Sequence, residues 1–292
     1  MYYIVYGLLW LFSLLPLRIL YLLSDFVYGL VFYIFRYRRD VVMNNLMIAF
    51  PEKTDSERKK IAKKFYHNLI DTFIESIKMI SASGKFFLKH VSGNWEVIND
   101  LKSTGRSVQI HVGHNFNWEW ANAAGSQLFT MPFVGVYMPI TNKIFDRLFI
   151  KLRSRYGTLL VRATHMRQDF MPYRNIQYIL GLAADQNPGE PANGWWFQFF
   201  ERPTPFAKGP AKNAILNKTS VVFGFIHKIK RGYYEVVFTV AEKETAQLTE
   251  QELTSKFVKY VEEVIRKYPE MWLWSHRRWK HKWKEEYGPI LK

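Results

Sequence analysis

In the run Ile110-His111-Val112-Gly113-His114-Asn115-Phe116-Asn117-Trp118-Glu119-Trp120, a histidine and, five residues later, a carboxylate follow an apolar, strand-like stretch. This pairing suits acyl transfer. An imidazole takes the proton of an attacking hydroxyl, while a carboxylate fixes its tautomer and stabilises the imidazolium that forms. Five positions along a helix would turn Glu119 about 140° from His114, so the two do not share a helical face. His114 is therefore expected in the turn after a strand, with Asn117 to Glu119 opening the next helix. The free N–H groups of that helix start suit a developing oxyanion. A histidine lying by chance beside a helix cap gives the same string, so the surroundings carry weight. His111 and His114 also invite a metal reading. The zincin spacing is absent and a strand position aims His111 elsewhere, so no metal site is expected.

Further polar clusters follow. Arg153 and Arg155 close a helical stretch, where cations are also favoured by the helix dipole alone. Asp185 opens a turn in Ala184-Asp185-Gln186-Asn187-Pro188, which is ordinary turn chemistry as well. The segment from Phe199 to Pro210 reads as an aromatic and proline loop carrying Arg202 and Lys208 ahead of a helix start suited to phosphate. Trp272 to Lys280 alternates aromatic and basic groups, as expected of a surface that holds acidic headgroups, an anionic protein or the membrane plane.

These residues need elements to hold them. A chain of 292 residues buries a full core. Short apolar runs at 107–112, 132–137, 158–161, 178–183, 220–226 and 234–240 alternate with helical stretches. That alternation predicts an α/β fold with a mostly parallel central sheet flanked by helices, and a hairpin of the last two runs at one edge. Ligands in such sheets gather at the carboxyl ends of strands, where His114 would sit. Thr54 with Glu57 and Thr249 with Glu252 are capping boxes opening helices to about Ser81 and Lys267. The first of these carries an apolar stripe of Ile61, Phe65, Leu69, Phe73, Ile77 and Ile80.

Residues 1–35 hold only two charged side chains, Arg18 and Asp25, and are divided by Pro16. They read as an N-terminal membrane anchor, either one tilted span or a kinked helical hairpin in one leaflet. A signal peptide is rejected because no basic stretch precedes the apolar run and no small-residue cleavage site follows it. The basic cluster Arg36-Tyr37-Arg38-Arg39 belongs on the cytoplasmic side. Residues 36–292 then form one catalytic domain. A net charge of +16 with 17% aromatic residues favours anionic partners at a membrane interface. Nucleic-acid signatures are absent. Zero cysteines exclude disulfides.

In their order along the chain these strings resemble the late lipid A acyltransferases, within the wider His-x4-Asp/Glu glycerolipid acyltransferases. The matching strings are Arg38-Arg39, Asn44-Asn45-Leu46, Phe50-Pro51-Glu52, Gly113-His114 to Trp118-Glu119, Leu152-Arg153-Ser154, Asp185-Gln186, Phe199-Phe200 and Trp274-Ser275-His276-Arg277-Arg278. The resemblance implies an O-acyltransferase at the cytoplasmic face of the bacterial inner membrane. Its donor would be an acyl thioester of an acidic acyl carrier protein, or acyl-CoA, and its acceptor a lipid A precursor. It implies no cofactor, no metal and no covalent acyl-enzyme. By position, His114 and Glu119 match the catalytic pair, and Arg153 and Asp185 the family's functional arginine and aspartate. Arg153 suits the site carboxylate or oxyanion; Asp185 suits orientation of the acceptor or of the basic loop. The loop Glu190–Phe197 does not map onto the family, so another membrane lipid stays open as acceptor. A non-catalytic protein binding anionic lipid is the reading from a different class.

Overall fold

The computed structural model describes residues 1–291. At the N-terminus, α1 (Tyr2–Leu14) and α2 (Leu17–Gly29, extended by a π-helical turn over Leu30–Ile34) are separated at Pro16. Proline lacks the N–H that a continuous helix needs, so the apolar segment breaks there. Helices α3 (Arg39–Ala49) and α4 (Asp55–Lys78) follow. At the start of α4 the Thr54 and Glu57 side chains satisfy each other's backbone N–H groups, as the sequence predicts. The helix ends slightly earlier than expected, and Arg155 Nη1 donates to the free carbonyls of Met79 and Ile80 beyond it, each at 2.7 Å. Within the predicted stripe Phe65 and Leu69 are buried, but Phe73 faces solvent. A spacing of four residues per step drifts off one face of a 3.6-residue helix.

Short helices α5 (Gly84–His90) and α6 (Glu96–Asn99) flank strand β1 (Val91–Gly93). The α/β alternation then begins with β2 (Val108–Val112), α7 (Trp118–Leu128), β3 (Phe133–Tyr137), α8 (Lys143–Ser154) and β4 (Leu159–Arg162). It continues through α9 (Met166–Phe170), β5 (Ile179–Ala183), β6 (Gly194–Phe199), β7 (Arg202–Ala207) and α10 (Gly209–Leu216). Strands β8 (Ser220–Lys230) and β9 (Tyr233–Glu242), helix α11 (Glu250–Lys267) and strand β10 (Ile290–Leu291) complete the chain.

The main sheet has seven strands in the order β1-β9-β8-β2-β5-β3-β4. All neighbours are parallel except β8 and β9, which form the predicted hairpin. That hairpin is not the sheet's edge. Strand β1 pairs outside β9, a position that its three residues did not signal. A second sheet, β10-β6-β7, contains segments expected to be loops. The stretches 190–197 and 199–210 instead supply an antiparallel hairpin. The prolines are accommodated there because Pro203 and Pro205 lie in β7, at the sheet's edge, where a missing N–H costs no ladder bond.

Strand β2 lies between β5 and β8; from β2 the chain passes to β3 toward one edge of the sheet, whereas from its neighbour β5 it passes back across β2 to β8, toward the other edge. That is the topological switch point at which open α/β sheets place their sites. Alternation along β2 turns Ile110 and Val112 to one face, toward α7, and Gln109 and His111 to the other.

Candidate active site

His114 and Asp185 are 71 residues apart, yet they meet because β2 and β5 are parallel neighbours in register at Val112 and Ala183. Both chains turn just past those residues, and the Ala184 N–H donates to the Val112 carbonyl at 3.0 Å. His114 Nδ1 lies 2.5 Å from Asp185 Oδ1. Asp185 Oδ2 accepts the His114 backbone N–H at 2.8 Å and the Trp272 indole N–H at 2.6 Å. A side chain at Gly113 would crowd this grip, since its Cβ would fall 3.2 Å from Asp185 Oδ2.

Asp185 is fully buried. Burial alone would raise its carboxyl, but the charge of His114, the two hydrogen bonds from His114 and the Trp272 N–H bring it down to about 2. The carboxylate thus stays ionised, holds the proton of the imidazole on Nδ1, and leaves Nε2 as the proton-accepting nitrogen. Nε2 has no hydrogen-bond partner among the described residues, and the ring lines the cavity below.

The expectation that Glu119 would orient His114 is corrected by this arrangement. No hydrogen bond or ion pair joins them. Asn117 caps α7, its Oδ1 accepting the Trp120 N–H at 3.2 Å, so Glu119 leaves on the first turn of a helix while His114 stays in the loop. Trp118 stands between the two, edge-on to the imidazole at 5.8 Å and donating its indole N–H to Glu119 Oε1 at 3.0 Å. Glu119 instead grips Arg153, in the last turn of α8, through Nε and Nη2 at 2.6–3.1 Å. Burial disfavours the Arg153 charge, and the Glu119 carboxylate more than restores it. Nη1 of Arg153 makes no hydrogen bond among the described residues, and this side chain also lines the cavity.

The cavity holds about 350 Å³. At one end are His114, Glu119 and Arg153. The rest of its wall is largely apolar and includes Trp95, Phe129, Phe133 and Phe238. Phe129 follows the last residue of α7, and His114 precedes its first. The pocket therefore touches both ends of α7, with Trp118, Glu119, Ala121 and Asn122 of its first turns on the wall.

Arg202 and Lys208 are not among the lining residues. Arg202 is exposed at the start of β7, and Lys208 lies over the Trp195 ring at 4.2 Å. His111, on the opposite face of β2, faces the Gln109 amide at 3.0 Å and packs edge-on against Phe257. Burial lowers its pKa to about 4. It does not meet His114, and no group of three metal-ligating side chains occurs among the described residues.

The aromatic and basic tail is largely interior, contrary to its reading as a membrane coat. Trp272, Trp274 and Arg278 are buried, His276 is half-buried, and only Arg277 and Lys280 of the basic residues are fully exposed. Asn45 and Asn68 hold this tail by donating to the carbonyls of Trp274, His276 and Glu270. Sequence reasoning missed Trp272 as the residue that fixes Asp185. Its one available signal was an indole in a tail too apolar to be entirely surface.

The chain is 23% identical over 286 residues to the lipid A biosynthesis lauroyltransferase of Escherichia coli (strain K12), covering 94% of this chain and 89% of the relative. The profile of the bacterial lipid A biosynthesis acyltransferases matches residues 1–281. An imidazole poised beside an apolar cavity, on a chain matched nearly from end to end, leads to one conclusion: the protein belongs to the bacterial lipid A biosynthesis acyltransferases.

Proposed function

We infer that the protein moves a fatty acyl chain from a carrier-protein thioester to a hydroxyl of a lipid A precursor, with His114 as general base. The observation that carries this reading is a single one. His114 Nδ1 is bound to an ionised, buried Asp185, and Nε2 is left free on the wall of an apolar cavity of about 350 Å³. Cavities of this size hold a ligand the size of a fatty acyl chain.

The reaction balances as follows. Nε2 takes the proton of the acceptor hydroxyl as its oxygen attacks the thioester carbonyl. The tetrahedral oxyanion collapses, the C–S bond breaks, and the imidazolium returns its proton to the departing thiolate. Arg153, held by Glu119 with one edge of its guanidinium free, supplies positive charge toward the oxyanion. Water is held off by the aromatic wall, which makes these charges count for more.

Membrane seating fits the N-terminus. The segment Leu17–Ile34 is long and apolar enough to cross a bilayer by length and composition. In the structure α1 and α2 lie on the catalytic domain, with Ile4, Leu8, Leu11, Leu22 and Phe26 turned outward. Residues 1–35 in this reading rest in the cytoplasmic leaflet of the inner membrane and hold residues 36–292 against it. The exposed lysines and arginines of a +16 chain then face the acidic carrier and anionic headgroups.

The test is transfer by the purified full-length protein in phospholipid vesicles containing the lipid A precursor, with acyl-carrier-protein and acyl-CoA donors compared and the product weighed by mass spectrometry. The product should gain one acyl chain. His114→Ala should lower kcat by about 10²- to 10⁴-fold. Transfer that survives this substitution would remove the general-base assignment, and acylation of a different lipid would reassign the acceptor.

A further inference from the structure

Glu75 lies in the last turn of α4 and is wholly buried. No cation pairs with it among the described residues, which is unusual for a buried carboxylate. Its oxygens are nonetheless fully engaged. Oε1 accepts the Tyr21 hydroxyl at 2.6 Å, and Oε2 accepts the Tyr234 hydroxyl at 2.6 Å and the Asn117 amide at 2.8 Å. The backbone carbonyl of Glu75 also accepts the Trp120 indole N–H at 3.0 Å.

Those four donors come from three separate elements. Tyr21 belongs to α2 of the N-terminal helical pair, Tyr234 to β9, and Asn117 and Trp120 to the start of α7. Asn117 is spent at both ends of its amide, since its nitrogen meets Glu75 while its oxygen caps α7. Glu119 is the second residue of that helix. Pulling Asn117 away would let the first turn fray and loosen the grip of Glu119 on Arg153.

The α2 side of the connection is fixed as firmly. Ser24 donates to Asp71 at 2.7 Å, and Arg231 bridges Asp71 and Asp25 at 2.6 and 2.7 Å. Gly232, in the β8–β9 turn at a φ of 77°, admits Tyr21 so closely that a Cβ there would lie 2.5 Å from its hydroxyl oxygen. Tyr21 therefore reaches Glu75 only when α2 is seated on α4 and on this turn.

We propose that Glu75 is a positioning residue that couples the seating of the N-terminal helices to the catalytic turn through the chain Tyr21–Glu75–Asn117. With α2 seated, the Tyr21 hydroxyl completes the donor set of Glu75, Asn117 is held, and α7 presents Glu119 to Arg153. With α2 displaced, the carboxylate turns toward its remaining donors and the cap loosens. The acyltransfer site is thereby fully formed when the membrane-seating helices are docked. This rests on the acyl-transfer reading above, and the control below separates the two.

The experiment compares full-length wild type, Tyr21→Phe, Glu75→Gln, the double variant and His114→Ala in vesicles of phospholipid and acceptor. It reads kcat, KM for both substrates, vesicle co-flotation and Tm. Tyr21→Phe should float normally and keep its KM values while kcat drops about fivefold. Glu75→Gln should lose about tenfold or more in kcat, and the double variant no more than Glu75→Gln alone, because both act through one carboxylate. Wild-type kcat in Tyr21→Phe and Glu75→Gln, with only Tm lowered, would make the cluster purely structural and overturn the proposal. Losses that multiply in the double variant would do the same. If Glu75→Gln fails to fold, the kcat of Tyr21→Phe still decides the matter. Activity persisting in His114→Ala would instead indict the underlying reading of the reaction.

Discussion

Replacing Asp185 with asparagine tests the site where its parts are most tightly linked. Oδ2 accepts two donors, the His114 backbone N–H and the Trp272 indole, whereas Oδ1 meets only Nδ1 of the imidazole. Asparagine keeps the shape but offers a single oxygen. That oxygen is drawn to the position where two N–H groups point, which leaves the amide NH2 facing Nδ1. The imidazole must then accept at Nδ1 and carry its proton on Nε2, the tautomer that cannot take a proton from the acceptor hydroxyl. Turning the amide over restores the tautomer but sets NH2 against two buried N–H groups, costing about 1–3 kcal/mol for each partner lost. Losing both the tautomer and the charge that stabilises the imidazolium is worth about 10³- to 10⁴-fold in kcat, or roughly 4–5.5 kcal/mol of barrier. The assay is thioester cleavage with saturating donor and acceptor in vesicles, paired with ¹⁵N NMR of labelled histidine to read which ring nitrogen carries the proton. A folded Asp185→Asn protein within tenfold of wild type, or one whose ring keeps its proton on Nδ1, would refute the reasoning.

Glu119→Gln should cost less than Asp185→Asn, about tenfold in kcat, and leave the acid limb of kcat/KM in place, because Glu119 touches Arg153 and not the imidazole; a shifted limb would return Glu119 to the ring. Chemical unfolding across pH should expose Glu75. Burial raises its carboxyl from 4.5 to about 7, against the pull of Tyr21, Tyr234 and Asn117. The fold thus keeps a proton that the unfolded chain releases, so stability is greatest below the unfolded value and falls as pH rises toward 7. The slope sums to about 3 kcal/mol, from 2.5 pH units at ~1.36 kcal/mol each. Glu75→Gln should flatten that slope, and an unchanged slope would assign it to other groups. Chelation by EDTA should leave turnover intact, since His111 and His114 lie on different sides of β2; activity lost to EDTA and restored by zinc would revive a metal role.

Several local features were legible before any tertiary structure. The two capping boxes need only side chains three residues from their own N–H groups, and both form as read. The parallel sheet follows from apolar runs separated by helical stretches, and His114 falls in the turn after its strand. The prolines of β7 misled, because edge pairing accommodates them and an edge is not visible in a string. The tail from Trp272 to Lys280 misled for a related reason, since an alternation of indoles and cations describes a membrane coat and a buried brace equally well. Arg278 shows the difference. It is buried over the Phe206 ring at 4.3 Å and donates to the Pro205 carbonyl at 2.9 Å.

The sequence by itself determined the candidate base, the strand that precedes it and the family to which those strings point, because each depends on residue type and short spacing. Only the tertiary structure decided which carboxylate serves which cation. His114 is five residues from Glu119 and 71 from Asp185, yet it binds the distant one because β5 inserts between β2 and β3 and brings its own turn alongside. Glu119, carried round on the first turn of α7, faces Arg153 instead. Pairing across a parallel sheet is set by strand order, and strand order is a property of the packed whole that no local pattern contains.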